Sequence, residues 1–313
     1  MTDFSIGLFG IVALFVLMVL RMPVGMAMLT VGFFGTWMLN GFRSANALMV
    51  TETFSQVSNY SLTVIPLFIL MGNIASVAGF SRGLYEAAFA WVGRLPGGLA
   101  SASVLGCAAF SAVSGSSVAT AVTIGRVALP EMARFNYSSG LATGAIAAGG
   151  TLGFLIPPST GFVIYAILTE QSIGQLFMSG ILPGLLLAGL FILTVTLISL
   201  RNPEAGPRGA HVPLKERMAA TLRAAPLLTV IIVSIGGIYL GVFTPVEAAG
   251  IGAGLVLILA LFTRKLTPST AWRAVSDTVS TTAMLYLIII GAAVLNPFLS
   301  MTQLPSMLGE AMT

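Results

Sequence analysis

Apolar stretches follow one another along the chain, separated by short polar joints. They run over Phe4–Leu20, Val24–Asn40, Leu62–Ala78 (with a helical extension to Trp91), Gly97–Pro130, Ser138–Leu168, Ile181–Leu200, Pro226–Phe243, Val246–Phe262 and Thr278–Asn296. A helix crossing a bilayer needs about 20 mostly apolar residues, and each stretch is predicted to be such a helix or a pair of shorter ones. The longest joint, Arg201–Arg223, carries five basic residues and three prolines and reads as an aqueous connection. The first stretch resembles a signal peptide in length. It lacks a basic leader, because Asp3 precedes it, and Arg21 follows at once, so it reads as a retained helix.

Composition confirms the solvent. Of 313 residues, 57% are hydrophobic and 8% charged, and mean hydropathy is +1.00. Ordinary soluble domains carry about 25% charged residues, so this surface is built to face lipid. The 35 glycines suit helices that associate by close backbone approach. Cys107 stands alone, which excludes an intrachain disulfide, and one histidine, His211, leaves no Cys/His metal cluster. The fold class is therefore all-α and polytopic, with a lipid bilayer as its main environment and no nucleic-acid partner.

Basic loops stay cytoplasmic. With Arg201–Arg223 inside, tracing backwards leaves Glu170–Gly180 outside, Arg134, Arg94 and Arg82 inside, Asn40–Tyr60 outside, Arg21 inside and the N-terminus outside. Arg264, Lys265 and Arg273 also fall inside, and Arg43 alone opposes the scheme. Arg94 and Arg134 share a side, so the intervening segment crosses an even number of times. A break at Ser114-Gly115-Ser116-Ser117 gives legs of about 24 Å at 1.5 Å per residue, short of a ~30 Å hydrocarbon core. A re-entrant hairpin over about 97–134 is expected rather than two full spans.

An internal repeat is suggested by Arg21-Met22-Pro23-Val24-Gly25-Met26-Ala27 and Phe243-Thr244-Pro245-Val246-Glu247-Ala248-Ala249. Each lies between two apolar helices, with proline at a helix start where its missing N–H is harmless. Five crossings and one hairpin invert whatever follows, the arrangement of an inverted-repeat secondary transporter. The expected organisation is a first repeat over 1–200, with a broken helix at about 138–168, a cytoplasmic loop over 201–225, and an incomplete second repeat over 226–313. That incompleteness suggests a fragment.

Two interruptions carry the candidate chemistry. One is Ser114–Thr120; the other is Gly149–Ser159, where paired glycines precede Pro157-Pro158. Proline removes a helical hydrogen bond, and lipid supplies no substitute, so a break at depth is tolerated beside a protein-lined cavity or a ligand. Carbonyls and the hydroxyls of Ser114, Ser116, Ser117, Thr120, Thr151 and Ser159 suit a hard cation, whereas N–H groups at half-helix starts suit an anion. Neither segment holds Asp, Glu or His, and Glu86, Glu247 and Asp277 lie near helix ends, which favours sodium over a proton. Arg126 reads either as a clamp for a substrate carboxylate or as a side chain extended toward the cytoplasm. Asn73 reads as a site contact or an interhelical hydrogen-bonding group.

Ser114-Gly115-Ser116-Ser117-Val118-Ala119-Thr120-Ala121, Leu129-Pro130-Glu131-Met132, Gly150-Thr151-Leu152-Gly153 and Ile156-Pro157-Pro158-Ser159 together resemble the large membrane subunit of tripartite ATP-independent periplasmic transporters. Ile65-Pro66-Leu67-Phe68, Gly72-Asn73 and Thr244–Ala249 resemble it too. The resemblance implies an elevator-type transporter of the bacterial inner membrane that takes up organic acids such as C4-dicarboxylates or sialic acid. It implies coupling to sodium, a small membrane subunit and a periplasmic solute-binding protein, and no cofactor beyond the coupling ion. It assigns sodium-site roles to Ser114, Gly115, Ser116, Ser117, Thr120, Gly150, Thr151, Gly153 and Pro157. Asn73, Arg126, Ser159 and Thr160 are the candidate substrate contacts. The family has a second hairpin and a second Pro-Pro crossover beyond the point where this sequence stops. An ATP-driven permease subunit is the alternative, although the sequence has no phosphate-binding loop. No nucleophile–base constellation points to an enzyme.

Overall fold

The computed structural model describes residues 3–209, 212–304 and 306–307, and among these it contains α-helices, one 3₁₀ turn and no strand. In order they are α1 (Asp3–Val19), α2 (Val24–Asn40), α3 (Phe42–Val57), the 3₁₀ turn Tyr60–Thr63, α4 (Val64–Val77), α5 (Phe80–Val92), α6 (Gly98–Ser114), α7 (Ser117–Arg134), α8 (Ser139–Leu155), α9 (Thr160–Leu168), α10 (Ile173–Arg201), α11 (Leu214–Tyr239), α12 (Pro245–Phe262) and α13 (Pro268–Met301). Five helical segments are long and apolar enough to cross a membrane: Tyr60–Val77 and α10 to α13. The pair α8 and α9, bent by 40°, makes a sixth if taken as one broken span. The chain is a polytopic membrane protein. His211 lies outside the described residues.

Four differences from the sequence pattern have physical causes. Residues 42–57, expected as a polar joint, form α3, whose Arg43, Glu52 and Gln56 make it too polar to read as a span. The expected extension from Ala78 to Trp91 is a separate helix, because Gly79 adopts φ +69° and ends the α4 segment. Residues 214–225, assigned to the connecting loop, are the first turns of α11, where good helix formers such as Leu214, Lys215, Glu216, Arg217 and Met218 follow Pro213. The last helix begins at Pro268, ten residues before the apolar run.

The chain divides into two compact units. The first comprises Met1–Thr63 and Val279–Thr313. Its core is a small-residue seam. A Cβ on Gly25 would meet the Leu287 carbonyl at 2.5 Å, and one on Gly32 the Val294 carbonyl at 2.8 Å. These glycines are seven residues apart, nearly two helical turns, so they line one face of α2 and let the later part of α13 approach it closely. Phe298, fully buried, fills the space left over Gly10 and Gly35.

The second unit is Val64–Thr278. At its centre is α6, buried along nearly its whole length and rich in Gly, Ala and Ser, with Leu99, Val104, Cys107, Phe110 and Val113 among them. Around it pack α4, α5, α7, α8 and α10. The outward face of α10 shows Leu182, Leu185, Leu186, Leu190, Leu193 and Leu197, the surface expected against lipid. Residues 202–209 fold back across the foot of the α6–α7 hairpin. Gly97 N–H donates to the Gly206 carbonyl, Gly209 N–H to the Gly93 carbonyl and Ser138 N–H to the Ala205 carbonyl, each at 3.0 Å. Tyr137 locks this strap: its hydroxyl donates to the Pro207 carbonyl at 2.6 Å and accepts from Leu99 N–H at 3.1 Å.

Candidate functional site

Both predicted interruptions are real, and they meet inside the second unit. Helix α6 stops at Ser114 because Gly115 takes a left-handed conformation, φ +59°. Ser116 is extended and caps α7, accepting from Ala119 N–H through its side chain. The hairpin legs are 17 and 18 residues, about 26 Å at the standard rise, close to the expected length. Helix α8 stops at Leu155, a cis Pro157-Pro158 bond follows, and Ser159 caps α9 through Phe162 N–H.

The hairpin tip sits directly on this crossover. The Gly115 carbonyl accepts from Thr160 twice, from N–H at 3.1 Å and from the hydroxyl at 3.0 Å. A Cβ on Gly115 would meet the Pro158 carbonyl at 2.6 Å, and one on Gly153 would meet the Ser116 carbonyl at 2.8 Å. Gly150 lies as closely against Ala121, 2.7 Å by the same construction. From the other side, Gly72 of α4 approaches the Ser114 Cα, where an added Cβ would come within 2.6 Å. The tip is thus wedged between α4 and the α8–α9 break, held by backbone contact on both faces.

The polar groups gathered there are neutral. The Ser114 and Thr120 hydroxyls, both buried, share a hydrogen bond at 2.7 Å. The buried Ser159 hydroxyl donates to the Phe154 carbonyl at 2.7 Å. Among the described residues, the Ala112, Val113 and Ser114 carbonyls at the end of α6 accept no hydrogen bond, nor do those of Gly153 and Leu155 at the end of α8. Helix C-termini with open carbonyls attract cations, and the starts of α7 and α9, pointing into the same crossing, attract anions. Hard monovalent cations take such oxygen ligands, and among the described residues no group of three His, Cys, Asp or Glu could hold a metal ion of another kind.

The predicted site residues divide accordingly. Ser114, Gly115, Ser116, Ser117, Thr120, Gly150, Gly153, Pro157, Ser159 and Thr160 converge on the tip and crossover. Thr151 is exposed, and its hydroxyl donates back to the Ala148 carbonyl at 2.6 Å. Asn73, half-buried and next to Gly72, donates to the Thr278 hydroxyl at 2.9 Å. Arg126 lies nine residues beyond Ser117 on α7, about 13.5 Å along the helix. It is exposed, forms no ion pair among the described residues, and borders an apolar groove of about 660 Å³ with Val122, Leu129 and Ile146. Sequence reasoning missed the Ser76–Thr123 hydroxyl contact at 3.1 Å that pins α4 to α7. Two isolated hydroxyl residues on separate helices carry no pattern that could have paired them.

Residues 11–313 match the family described as the tripartite ATP-independent periplasmic transporter, DctM component. The chain is 38% identical over 266 residues to the C4-dicarboxylate TRAP transporter large permease protein DctM of Pseudomonas aeruginosa, covering 85% of this chain and 62% of that one. It is 34% identical over 331 residues to the protein of the same description from Vibrio cholerae, covering 97% and 72%. With the ectoine/5-hydroxyectoine TRAP transporter large permease protein UehC of Ruegeria pomeroyi it shares 33% over 293 residues, covering 93% and 68%.

Proposed function

The chain belongs to the DctM family of large TRAP permease subunits, and from that premise we propose that it carries an organic anion across the bacterial inner membrane, coupled to sodium. It works with a small membrane subunit and receives its substrate from a periplasmic solute-binding protein. The family is one of transport permeases rather than enzymes, and ion-coupled uptake takes its energy from a gradient, not from ATP. The chain spans about 62% of the length of the Pseudomonas relative, and the activity of a complete permease is assigned to it here as a proposal.

The observation that carries this reading is the seating of the Gly115 tip on the Pro157-Pro158 crossover. Four helix ends meet there, two presenting carbonyls and two presenting N–H groups. One place can therefore bind a cation and an anion side by side, and each lowers the electrostatic cost of the other. Ser114, Gly115, Ser116, Ser117, Thr120, Gly150, Gly153 and Pro157 supply the sodium side, and Thr151, exposed and bonded back to Ala148, stands outside it. Asn73, Ser159 and Thr160 face the substrate, and Arg126 attracts its carboxylate along α7. Among the described residues the crossing holds no carboxylate, which favours sodium over a proton.

Relatives named for C4-dicarboxylates make that class the first to test. Proteoliposomes containing the permease and its partners are loaded with potassium and supplied with the binding protein and labelled C4-dicarboxylates. Uptake is expected with an inward sodium gradient and not with an equal potassium gradient. Uptake that ignores the replacement of sodium would overturn the coupling. Ser116→Trp and Ser117→Trp should remove sodium dependence while leaving membrane insertion intact.

A further inference from the structure

Helices α6, α8 and α10 leave a groove of about 290 Å³ between them, shaped by Val104, Leu141, Gly144, Phe191, Val195 and Ile198 among others. Gly140 and Gly144 keep it open, since an added Cβ at either would meet nothing within 4 Å. Its two hydroxyl residues are already engaged. The Ser138 hydroxyl accepts from Leu141 N–H at 3.4 Å, and the Thr194 hydroxyl donates to the Leu190 carbonyl at 2.8 Å. The wall is otherwise apolar. Leu193 and Leu197, next in sequence to Thr194 and Ile198, are exposed, so the groove opens sideways onto the lipid-facing side of α10.

One end carries charge. On α10, Phe191, Thr194, Val195 and Ile198 follow the three- and four-residue spacing of one helix face, and Arg201 is the next position on it. The chain then enters the strap, whose Gly206 packs on the groove wall: an added Cβ there would stand 2.9 Å from the Leu141 side chain. Arg201 and Arg208 are exposed and form no ion pair among the described residues. Glu204 is the carboxylate between them, so this end has a net positive charge. It is also the end that the basic-loop rule expects on the cytoplasmic side.

We propose that this groove seats one acyl chain of an anionic glycerophospholipid, with Arg201 at its mouth on the headgroup phosphate. A guanidinium matches a phosphate through paired N–H donors, and a chain in the groove restores the close packing that helix interfaces otherwise reach. Neither half is enough alone. An exposed ion contact contributes little, and an uncharged amphiphile would leave Arg201 unpaired. The volume, just below the usual range of small-molecule sites, admits one chain and not a whole lipid. Basic clefts between membrane helices on the cytoplasmic side suit anionic headgroups. The bound lipid would brace α8, which leads into the crossover, against α10, whatever solute is carried.

The test is native mass spectrometry of the full chain released from nonionic detergent, with dioleoylphosphatidylglycerol, dioleoylphosphatidylcholine and, as a headgroup without chains, glycerol phosphate. One phosphatidylglycerol per chain is expected to be retained, at a concentration about fivefold or more below that needed for phosphatidylcholine, as one basic side chain beside an anionic headgroup provides. Glycerol phosphate is expected not to bind. Arg201→Gln should bring the two lipids to equal retention. Gly144→Leu fills the groove at a position with free space around it and should lower retention of both lipids by about tenfold, while the unfolding midpoint and size-exclusion profile stay near wild type. Gly140→Leu, at an equally open position, carries the test should Gly144→Leu aggregate. Equal retention of the two lipids by the wild type overturns the proposal, as does phosphatidylglycerol retention that either Arg201→Gln or the groove-filling variant leaves unchanged.

Discussion

At single positions, the site is governed by what glycine lacks. Gly153 permits the hairpin tip to rest on α8 because an added methyl would fall 2.8 Å from the Ser116 carbonyl, and neither backbone can yield without moving a helix end. Gly140, on the same helix, has nothing within 4 Å of an added Cβ. Overpacking in a tight interior costs about 1–3 kcal/mol. Gly153→Ala should therefore lower the thermal unfolding midpoint and reduce sodium-dependent uptake by about tenfold, whereas Gly140→Ala should leave both near wild type, since alanine is the better helix former. Equal effects at the two positions would show that close approach at Gly153 is not what the crossing requires. The contrast separates steric fit from helix propensity, which changes in the same favourable direction in both variants.

Among elements, the strap shows how a loop can be fixed by one side chain. Tyr137 is buried, and its hydroxyl donates a hydrogen bond to the Pro207 carbonyl and accepts one from Leu99 N–H. Tyr137→Phe leaves the Leu99 amide and the Pro207 carbonyl without this partner, a loss of about 1–3 kcal/mol. In hydrogen-exchange mass spectrometry, peptides covering 202–209 should then exchange about tenfold faster or more, while those from α12 should not change. Burial also pushes the Tyr137 phenol above its usual value of 10.0, the Leu99 amide opposing in part. A raised folded-state value means the neutral form is favoured, so its stabilisation is complete below pH 10 and is lost as pH rises through the folded value. Strap exchange in the wild type should accelerate in that alkaline range beyond the intrinsic rate, and the Phe variant should show no such extra step. The start of α12 is fixed by a reciprocal cap instead: Thr244 N–H donates to the Glu247 carboxylate at 2.8 Å, and the Thr244 hydroxyl accepts from Glu247 N–H at 3.3 Å.

Across the molecule, the sequence revealed the breaks more readily than the contacts between them. Proline pairs and Gly-Ser runs inside apolar stretches are legible because lipid leaves backbone groups no alternative partner, and both predicted interruptions exist. The polar helix α3 was not legible, since a pattern search for spans overlooks a helix with little apolar character. Nor was the approach of Gly72 to Ser114, because a glycine in an apolar run looks the same whether it meets a side chain or a backbone. The division into units adds what no pattern shows: every tip and crossover residue lies within Val64–Thr278, while α1, α2 and the later part of α13 form a separate core. A ligand that binds only the folded state stabilises it by RT ln(1 + [L]/Kd), about 2.7 kcal/mol at a hundredfold excess over Kd. If sodium binds at the crossing, replacing potassium by sodium should slow exchange in peptides covering 111–120 and 150–162. Peptides from α1 and α2, which belong to the other unit, should be indifferent. Equal protection everywhere would indicate a general salt effect, and protection nowhere would remove the cation from this site; slowing confined to the tip and crossover is the result the open carbonyls of α6 and α8 require.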